Sequence, residues 1–116
     1  MLSEGLDHAG RDLRGCRLVA MDLRRKNLEG ADLTGADLTE ADLEHANLRG
    51  ANLRGAYLTG AQLVGARLDG ACLDGAYLIA TNLRNASMSE ATVDGAIWDQ
   101  ATTWPNGRQS SRAFGR

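Results

Sequence analysis

The sequence predicts an all-β solenoid, in which a short unit turns, returns its apolar residues inward and covers the unit before it. Two observations support this fold class. From residue 11 to residue 100 the chain repeats one five-residue unit without interruption, as ADLTGADLTEADLEHANLRG shows at residues 31–50. A period of five fits neither the 3.6-residue period of a helix nor the two-residue period of a long strand, so the chain has to turn within every unit.

The first and third positions of the unit are predicted to form the core. Leu fills the third position in fifteen of eighteen units, and Ala fills the first position in thirteen. Residues two apart in an extended chain point to the same side, so these side chains face inward together while the residue between them faces outward. A narrow core of Ala and Leu also agrees with a composition that is 43% hydrophobic but only 4% aromatic.

The fifth position is predicted to make the turn. It is Gly in ten units and Asn at Asn85, residues that accept the positive φ required in a type II turn. In a helix interior each of these glycines would cost about 1 kcal/mol, which disfavours a helical fold. Six of the other units are predicted to use a different turn. Their last residues are Ala20, Arg25, Glu40, Ala80, Glu90 and Gln100.

The A(D/N)LxG unit resembles the repeat of the pentapeptide-repeat family, and the resemblance covers residues 11–100. Spacing alone leaves open how many units close one coil. The resemblance implies a right-handed quadrilateral β-helix with four units in each coil, so that eighteen units would make about four and a half coils.

The 116 residues are predicted to form one small domain with covered ends. A solenoid exposes unpaired backbone and apolar side chains at both ends, so terminal units need caps. Residues 1–10 are assigned to an N-terminal cap or degenerate unit, with His8 where Leu is expected, and residues 11–100 to the solenoid. Residues 101–107 are assigned to a C-terminal cap, which follows Trp98 and contains Trp104, and residues 108–116 to a flexible tail.

Composition and motifs exclude several function classes. Thirteen basic and fifteen acidic residues give a net charge of -2, which argues against direct nucleic-acid binding. No segment is apolar and long enough to predict a membrane span or a secretion signal. Cys16 and Cys72 form no CxxC pair, so neither a zinc site nor a disulfide framework is indicated, and a reducing, cytoplasmic setting is expected.

No catalytic constellation is present in the sequence. The two histidines, His8 and His45, have no partner at ligand or triad spacing, and the glycines are dispersed rather than gathered in a phosphate-binding loop. We therefore expect no enzyme activity, no cofactor, no metal and no small-molecule substrate.

An acidic belt is the first candidate functional feature. Five acids follow one another here without an intervening base: Asp32, Asp37, Glu40, Asp42 and Glu44. Several members of the family that the sequence resembles mimic duplex DNA and protect or inhibit type II topoisomerases such as gyrase, and an acidic belt would suit that role. Alternatively, the Asp side chains bind the turn backbone, as Asx residues commonly do, and the neighbouring Arg49 and Arg54 interrupt the belt.

One outward face is the second candidate feature. With four units per coil, Tyr57, Tyr77, Ile79 and Ile97 fall on one face, and Tyr77 is predicted to stack one coil above Tyr57. Such a column either stabilises neighbouring coils or marks a partner site. The leading hypothesis is a non-enzymatic scaffold that uses this face to bind a protein or a second copy of itself, and the alternative is a DNA-mimicking gyrase modulator.

Overall fold

The fold is a ladder of parallel backbone bridges, seen here in a computed structural model that describes residues 7–105. Within that range no strand is longer than one bridge residue, and each five-residue unit contributes its second position to the ladder. From the Asp7–Asn27 bridge to the Tyr77–Ile97 bridge, every pair joins residues that lie twenty positions apart. Four consecutive units therefore separate each bridge residue from the one stacked on it.

The bridges form four columns, which define four faces of the solenoid. The first column contains Asp12, Asp32, Asn52, Cys72 and Thr92. The second contains Arg17, Asp37, Tyr57, Tyr77 and Ile97. The third contains Asp22, Asp42, Gln62, Asn82 and Thr103. The fourth contains Asp7, Asn27, Asn47, Arg67 and Ser87. We call the second face, with its fourth-position neighbours Val19, Thr39, Thr59, Ile79 and Asp99, the tyrosine face.

Backbone hydrogen bonds join each unit to the unit stacked on it. The Leu48 N–H donates to the Arg67 carbonyl at 2.7 Å, and the Gly50 N–H donates to the Asp69 carbonyl at 2.9 Å. In return, the Arg67 N–H donates to the Ala46 carbonyl at 2.9 Å. The same pattern repeats from unit to unit along the four faces. It satisfies backbone N–H and C=O groups along the ladder, which would otherwise be buried without a partner.

The core is the predicted stack of Leu and Ala. Third-position Leu side chains from Leu28 to Leu83 are at most 1% exposed, and first-position Ala side chains from Ala31 to Ala76 are equally buried. This confirms the predicted inward positions. Toward the two ends of the solenoid the core side chains are less completely buried. Cys16, Met21 and Met88 pack against the core there but are only partly buried.

The turn prediction for units without Gly or Asn was wrong. Ala20, Arg25, Glu40, Ala80 and Glu90 adopt positive φ between 57° and 64°, as His45 does, and only Gln100 of the six lacks it. The turn is the same as in the glycine units. For example, the Ala41 N–H donates to the Leu38 carbonyl at 2.9 Å, as the Ala31 N–H donates to Leu28 at 3.0 Å.

The ladder explains why these residues accept an unfavourable conformation. A positive φ costs a non-glycine residue roughly 1–2 kcal/mol. Each fifth-position residue forms a corner between two faces of the solenoid. At the corner of Glu40, the N–H donates to the Thr59 carbonyl at 2.9 Å. A different turn would break this hydrogen bond and would change the direction in which the next unit runs. The Glu40 carboxylate and the His45 ring then lie over Gly60 and Gly65, where a Cβ atom would collide with them. Glycine one coil later gives these side chains their space.

At the C-terminal end the ladder continues with one extra residue. Asn82 pairs with Thr103, twenty-one positions later, so Trp104 occupies a core position and is 1% exposed. Its ring meets Trp98 edge-on, with centroids 5.5 Å apart. The Asp99 carboxylate accepts the Ala80 N–H at 3.1 Å, at a corner where other units use a backbone carbonyl. The segment assigned to the C-terminal cap thus carries the last described unit.

At the N-terminal end His8 takes the Leu position of a degenerate unit. It is 7% exposed, its neighbour Asp7 bridges to Asn27, and Arg11 Nη1 donates to His8 Nδ1 at 2.8 Å. The remaining parts of the predicted N-terminal cap, C-terminal cap and flexible tail, residues 1–6 and 106–116, lie outside the described residues.

Candidate functional site

The tyrosine face carries the exposed apolar surface of the described chain. Among residues 7–105 the large hydrophobic side chains that are clearly exposed are Val19, Tyr57 and Ile97, at 42%, 43% and 46%. All three belong to this one face of the four. Tyr57 and Ile97 are among the contact residues predicted from the sequence. Val19 is not among them; it lies forty residues before Thr59 in the same fourth-position column.

Tyr57 and Tyr77 form the centre of the tyrosine face. Their residues are bridged, and their rings stack with centroids 4.7 Å apart and planes 2° apart, which confirms the predicted stack. Ile97 is bridged to Tyr77 and continues the column, while Ile79 stands half-buried beside it. The coil spacing thus converts residues that are far apart in sequence into a continuous apolar strip.

The two ends of the tyrosine face carry opposite charges. Arg17 begins the column and Asp99 ends the adjoining fourth-position column. Between them, the pKa of Asp37 is lowered by hydrogen bonds from the Thr39 hydroxyl and N–H, and in smaller part by the charge of Arg17. The pKa of Asp99 is lowered chiefly because the Ala80 N–H donates to its carboxylate. The tyrosine face therefore has a basic residue at its first end, an acidic residue at its last end and apolar side chains between them.

The acidic belt does not form a single surface. Asp32, Asp37 and Asp42 belong to three different bridge columns, so the acids are spread over three of the four faces. Bases from the preceding coil also approach these acids. Arg14 Nε lies 3.8 Å from the Asp32 carboxylate, and Arg24 Nε lies 3.8 Å from that of Asp42.

Second-position aspartates fold back onto their own turns. Asp32 accepts hydrogen bonds from the Thr34 hydroxyl at 2.6 Å and from the Thr34 N–H at 3.1 Å. Asp42 accepts the Glu44 N–H at 3.2 Å. One oxygen of each carboxylate thereby helps to hold the turn, as an Asx residue does. The second oxygen is the one that the arginine of the preceding coil approaches at 3.8 Å.

The remaining candidate residues are dispersed. Cys16 packs against the core, whereas Cys72 lies in the first bridge column. Both are free thiols that form no disulfide. Within residues 7–105 no cluster of three or more His, Cys, Asp or Glu side chains is placed to hold a metal ion. A search of the same residues finds no helix with the length and apolarity needed to cross a membrane.

Comparison with known structures gives clear relatives of the same architecture. A pentapeptide repeat protein from the Arabidopsis thaliana thylakoid lumen is 29% identical, with a TM-score of 0.74 over 82% of this chain. Rfr23 from the cyanobacterium Cyanothece 51142 is 39% identical, with a TM-score of 0.68 over 89% of this chain. The protein alr5209 from Nostoc PCC 7120 is 38% identical, with a TM-score of 0.57 over 81% of each chain.

This chain spans 64% and 67% of the first two of these structures. No curated protein matches the sequence significantly. The family profile of pentapeptide repeats matches in eight copies, at residues 12–50, 36–75 and 61–97. Together with the five-residue unit and the four columns of bridges, this match shows that the chain belongs to the pentapeptide-repeat family, whose members form right-handed quadrilateral β-helices.

Proposed function

We propose that this chain is a non-enzymatic interaction module, a solenoid of about four and a half coils whose tyrosine face binds a protein partner or a second copy of the chain. The observation that carries this proposal is the confinement of exposed Val19, Tyr57 and Ile97 to one of the four faces. Tyr in particular contributes a large, rigid contact area, and it is enriched at protein interfaces.

A stabilising role within the coils accounts for only part of the tyrosine face. The stack of Tyr57 on Tyr77 contributes to coil packing whether or not a partner binds. Coil packing gives no reason, however, for an exposed Val19 at one end and an exposed Ile97 at the other. Apolar side chains gathered on one face of an otherwise polar rod are the usual mark of a contact surface.

We propose no catalysed reaction for this chain, because its outward polar groups are spread over four separate faces. Inward positions are filled by Leu and Ala, and the outward groups are spaced by the coil repeat on four separate faces. Catalysis needs a nucleophile, a base and an orienting group within hydrogen-bond reach of one another. Pentapeptide-repeat proteins generally act as structural or interaction modules, which supports the same conclusion.

Affinity capture and light scattering together test this proposal. We expect the wild-type chain either to exceed its monomer mass at high concentration or to capture a protein from a native lysate, and we expect Tyr77→Asp to abolish that interaction. Asn82→Asp is the matched control, because it adds the same charge in the next unit on the third face. A monodisperse wild-type monomer that captures nothing in a Tyr77-dependent way would refute the proposal.

A topoisomerase modulator is the second candidate. It is favoured by residues 27–46, which hold six acids and no Lys or Arg, and whose carboxylates encircle the rod as phosphates encircle a duplex. This candidate predicts that the protein inhibits or protects gyrase in a supercoiling assay, and that Asp37→Asn with Asp42→Asn weakens the effect. A wild-type protein without influence on supercoiling would eliminate it.

A further inference from the structure

We propose that the occupant of the tyrosine face is a second copy of this chain, packed face to face and antiparallel about a two-fold axis at Tyr57. This inference rests on the proposed function in one respect, since it takes the tyrosine face to be a contact surface. It adds the partner, the orientation and the residues that meet.

The tyrosine face has five levels, one for each stacked unit, named here by their second and fourth positions. In order, the levels are Arg17 with Val19, Asp37 with Thr39, Tyr57 with Thr59, Tyr77 with Ile79, and Ile97 with Asp99. The clearly exposed hydrophobic residues stand at the first, third and fifth levels. They are thus placed symmetrically about Tyr57.

An antiparallel pair makes this order self-complementary. A two-fold axis at the third level sets Tyr57 against Tyr57 of the second copy, and sets the first level of each copy against the fifth level of the other. At each end of the contact Arg17 then lies opposite Ile97, and Val19 lies opposite Asp99. Arg17 and Asp99, like Val19 and Ile97, are diagonal neighbours within that end of the contact. The second level meets the fourth, so the Tyr77 hydroxyl can donate to the Asp37 carboxylate of the other copy, a charge-assisted hydrogen bond.

Within the described residues 7–105, the distribution of charge favours the antiparallel orientation; Arg108, Arg112 and Arg116 lie outside that range. Residues 7–26 contain six basic and three acidic residues, a net charge of +3, whereas residues 87–105 contain three acids and no base, a net charge of -3. An antiparallel pair sets these opposite ends side by side. A parallel pair would align each end with its own like charge, and would also align the six acids of residues 27–46 with themselves. Such like-charge alignment opposes association.

The size of the face predicts a weak dimer. Five levels at about 4.8 Å spacing give a contact roughly 20 Å long, and the molecule measures 24 and 22 Å along its shorter axes. A face of these dimensions buries on the order of 800 Å² in total, less than the roughly 1,200 Å² at which stable specific complexes begin and within the range of weak, transient ones. Dimerisation should therefore be reversible and depend on concentration.

Cysteine cross-linking tests the orientation directly. The native cysteines are first replaced, Cys16→Ala and Cys72→Ser, and Thr39→Cys and Ile79→Cys are then made as two separate proteins. These positions belong to the second and fourth levels of one column, about 10 Å apart within a chain, but face each other across the proposed axis. We expect a disulfide-linked dimer under mild oxidation when the two proteins are mixed, and at least tenfold less when either is oxidised alone.

A matched pair of variants on another face provides the control. Glu44→Cys and Arg84→Cys stand in the third column at the same two levels, and their mixture should not cross-link. Equal cross-linking of this control would show random collision and overturn the proposal. So would cross-linking of Thr39→Cys or Ile79→Cys with itself, which indicates a parallel pair, and so would the absence of any cross-link in the mixture.

Ultracentrifugation gives a second readout that leaves the core intact. Tyr57→Asp places two like charges at the axis and should raise the dimer dissociation constant at least tenfold, while Asn52→Asp, one unit earlier on the first face, should leave it unchanged. If the wild-type chain stays monomeric but captures another protein through Tyr77, the interaction module stands and the antiparallel dimer is wrong. If it neither dimerises nor captures a protein, both proposals fail.

Discussion

The rings of Tyr57 and Tyr77 lie parallel, with centroids 4.7 Å apart and planes 2° apart, although twenty residues separate them in the chain. Their distance equals the spacing of neighbouring β-strands, because both rings rise from bridged residues in consecutive coils. The same coil repeat that stacks Leu on Leu inside the solenoid therefore stacks Tyr on Tyr outside it. This contact links the architecture of the chain to its proposed contact surface.

Removal of either tyrosine should reveal an energetic coupling between the rings. In a double-mutant cycle of Tyr57→Ala and Tyr77→Ala, urea unfolding should give a coupling free energy of about 0.5–1.5 kcal/mol, the value typical of aromatic pairs. The cycle should be measured at low protein concentration, so that association does not contribute. Strictly additive losses would show that the two rings do not stabilise each other.

Substitution of a core leucine should be far more harmful than substitution of its outward neighbour. Leu58 is fully buried, and Leu58→Ala should lower the free energy of unfolding by about 2–5 kcal/mol, because the stack cannot collapse around the cavity. Leu53→Ala should behave alike. Thr59→Ala is the control and should cost little, since its side chain lies outside. Equal losses at Leu58 and Thr59 would contradict the assignment of inward and outward positions.

The corner residues should respond to substitution in opposite directions. Ala80 adopts a φ of 57°, so Ala80→Gly should raise the free energy of unfolding by roughly 0.5–1 kcal/mol through release of this strain. Gly75 has a φ of 70° and no close neighbour for a Cβ atom, so Gly75→Ala should lower it by a similar amount. Urea midpoints measure both changes. A neutral result for both variants would indicate that the corner imposes no strain.

Stability should decline in acid, partly through Asp37. Its pKa is lowered in the folded chain, first by the Thr39 hydroxyl, so its ionised form stabilises the fold above the unfolded pKa of about 3.9. This contribution is lost as the pH falls through the lower folded value. Asp37→Asn should therefore be less stable than the wild type at pH 7, and the difference should shrink below about pH 4. Urea unfolding across this range provides the measurement, and a constant difference would rule out the linkage.

Much of this structure follows from local residue order. The alternation of Ala and Leu about one outward residue predicts the buried positions, because neighbouring positions of an extended chain point to opposite sides. Once four units per coil are assumed from the family resemblance, the stack of Tyr77 on Tyr57 follows by counting. The identity of the candidate face is thus contained in the sequence, together with most of its residues.

Other features arise only when the coils are assembled. Ala80 and Glu40 take a conformation that their own chemistry disfavours, because hydrogen bonds to adjacent coils hold each corner in place. An extra residue before Thr103 shifts the register by one and places Trp104 in the core. The sequence ATTWP by itself does not predict this shift. The acids of the belt read as one run but occupy three faces. Residue types thus determine what can face inward, whereas the stacking of coils decides which outward groups become neighbours and which turns the chain has to tolerate.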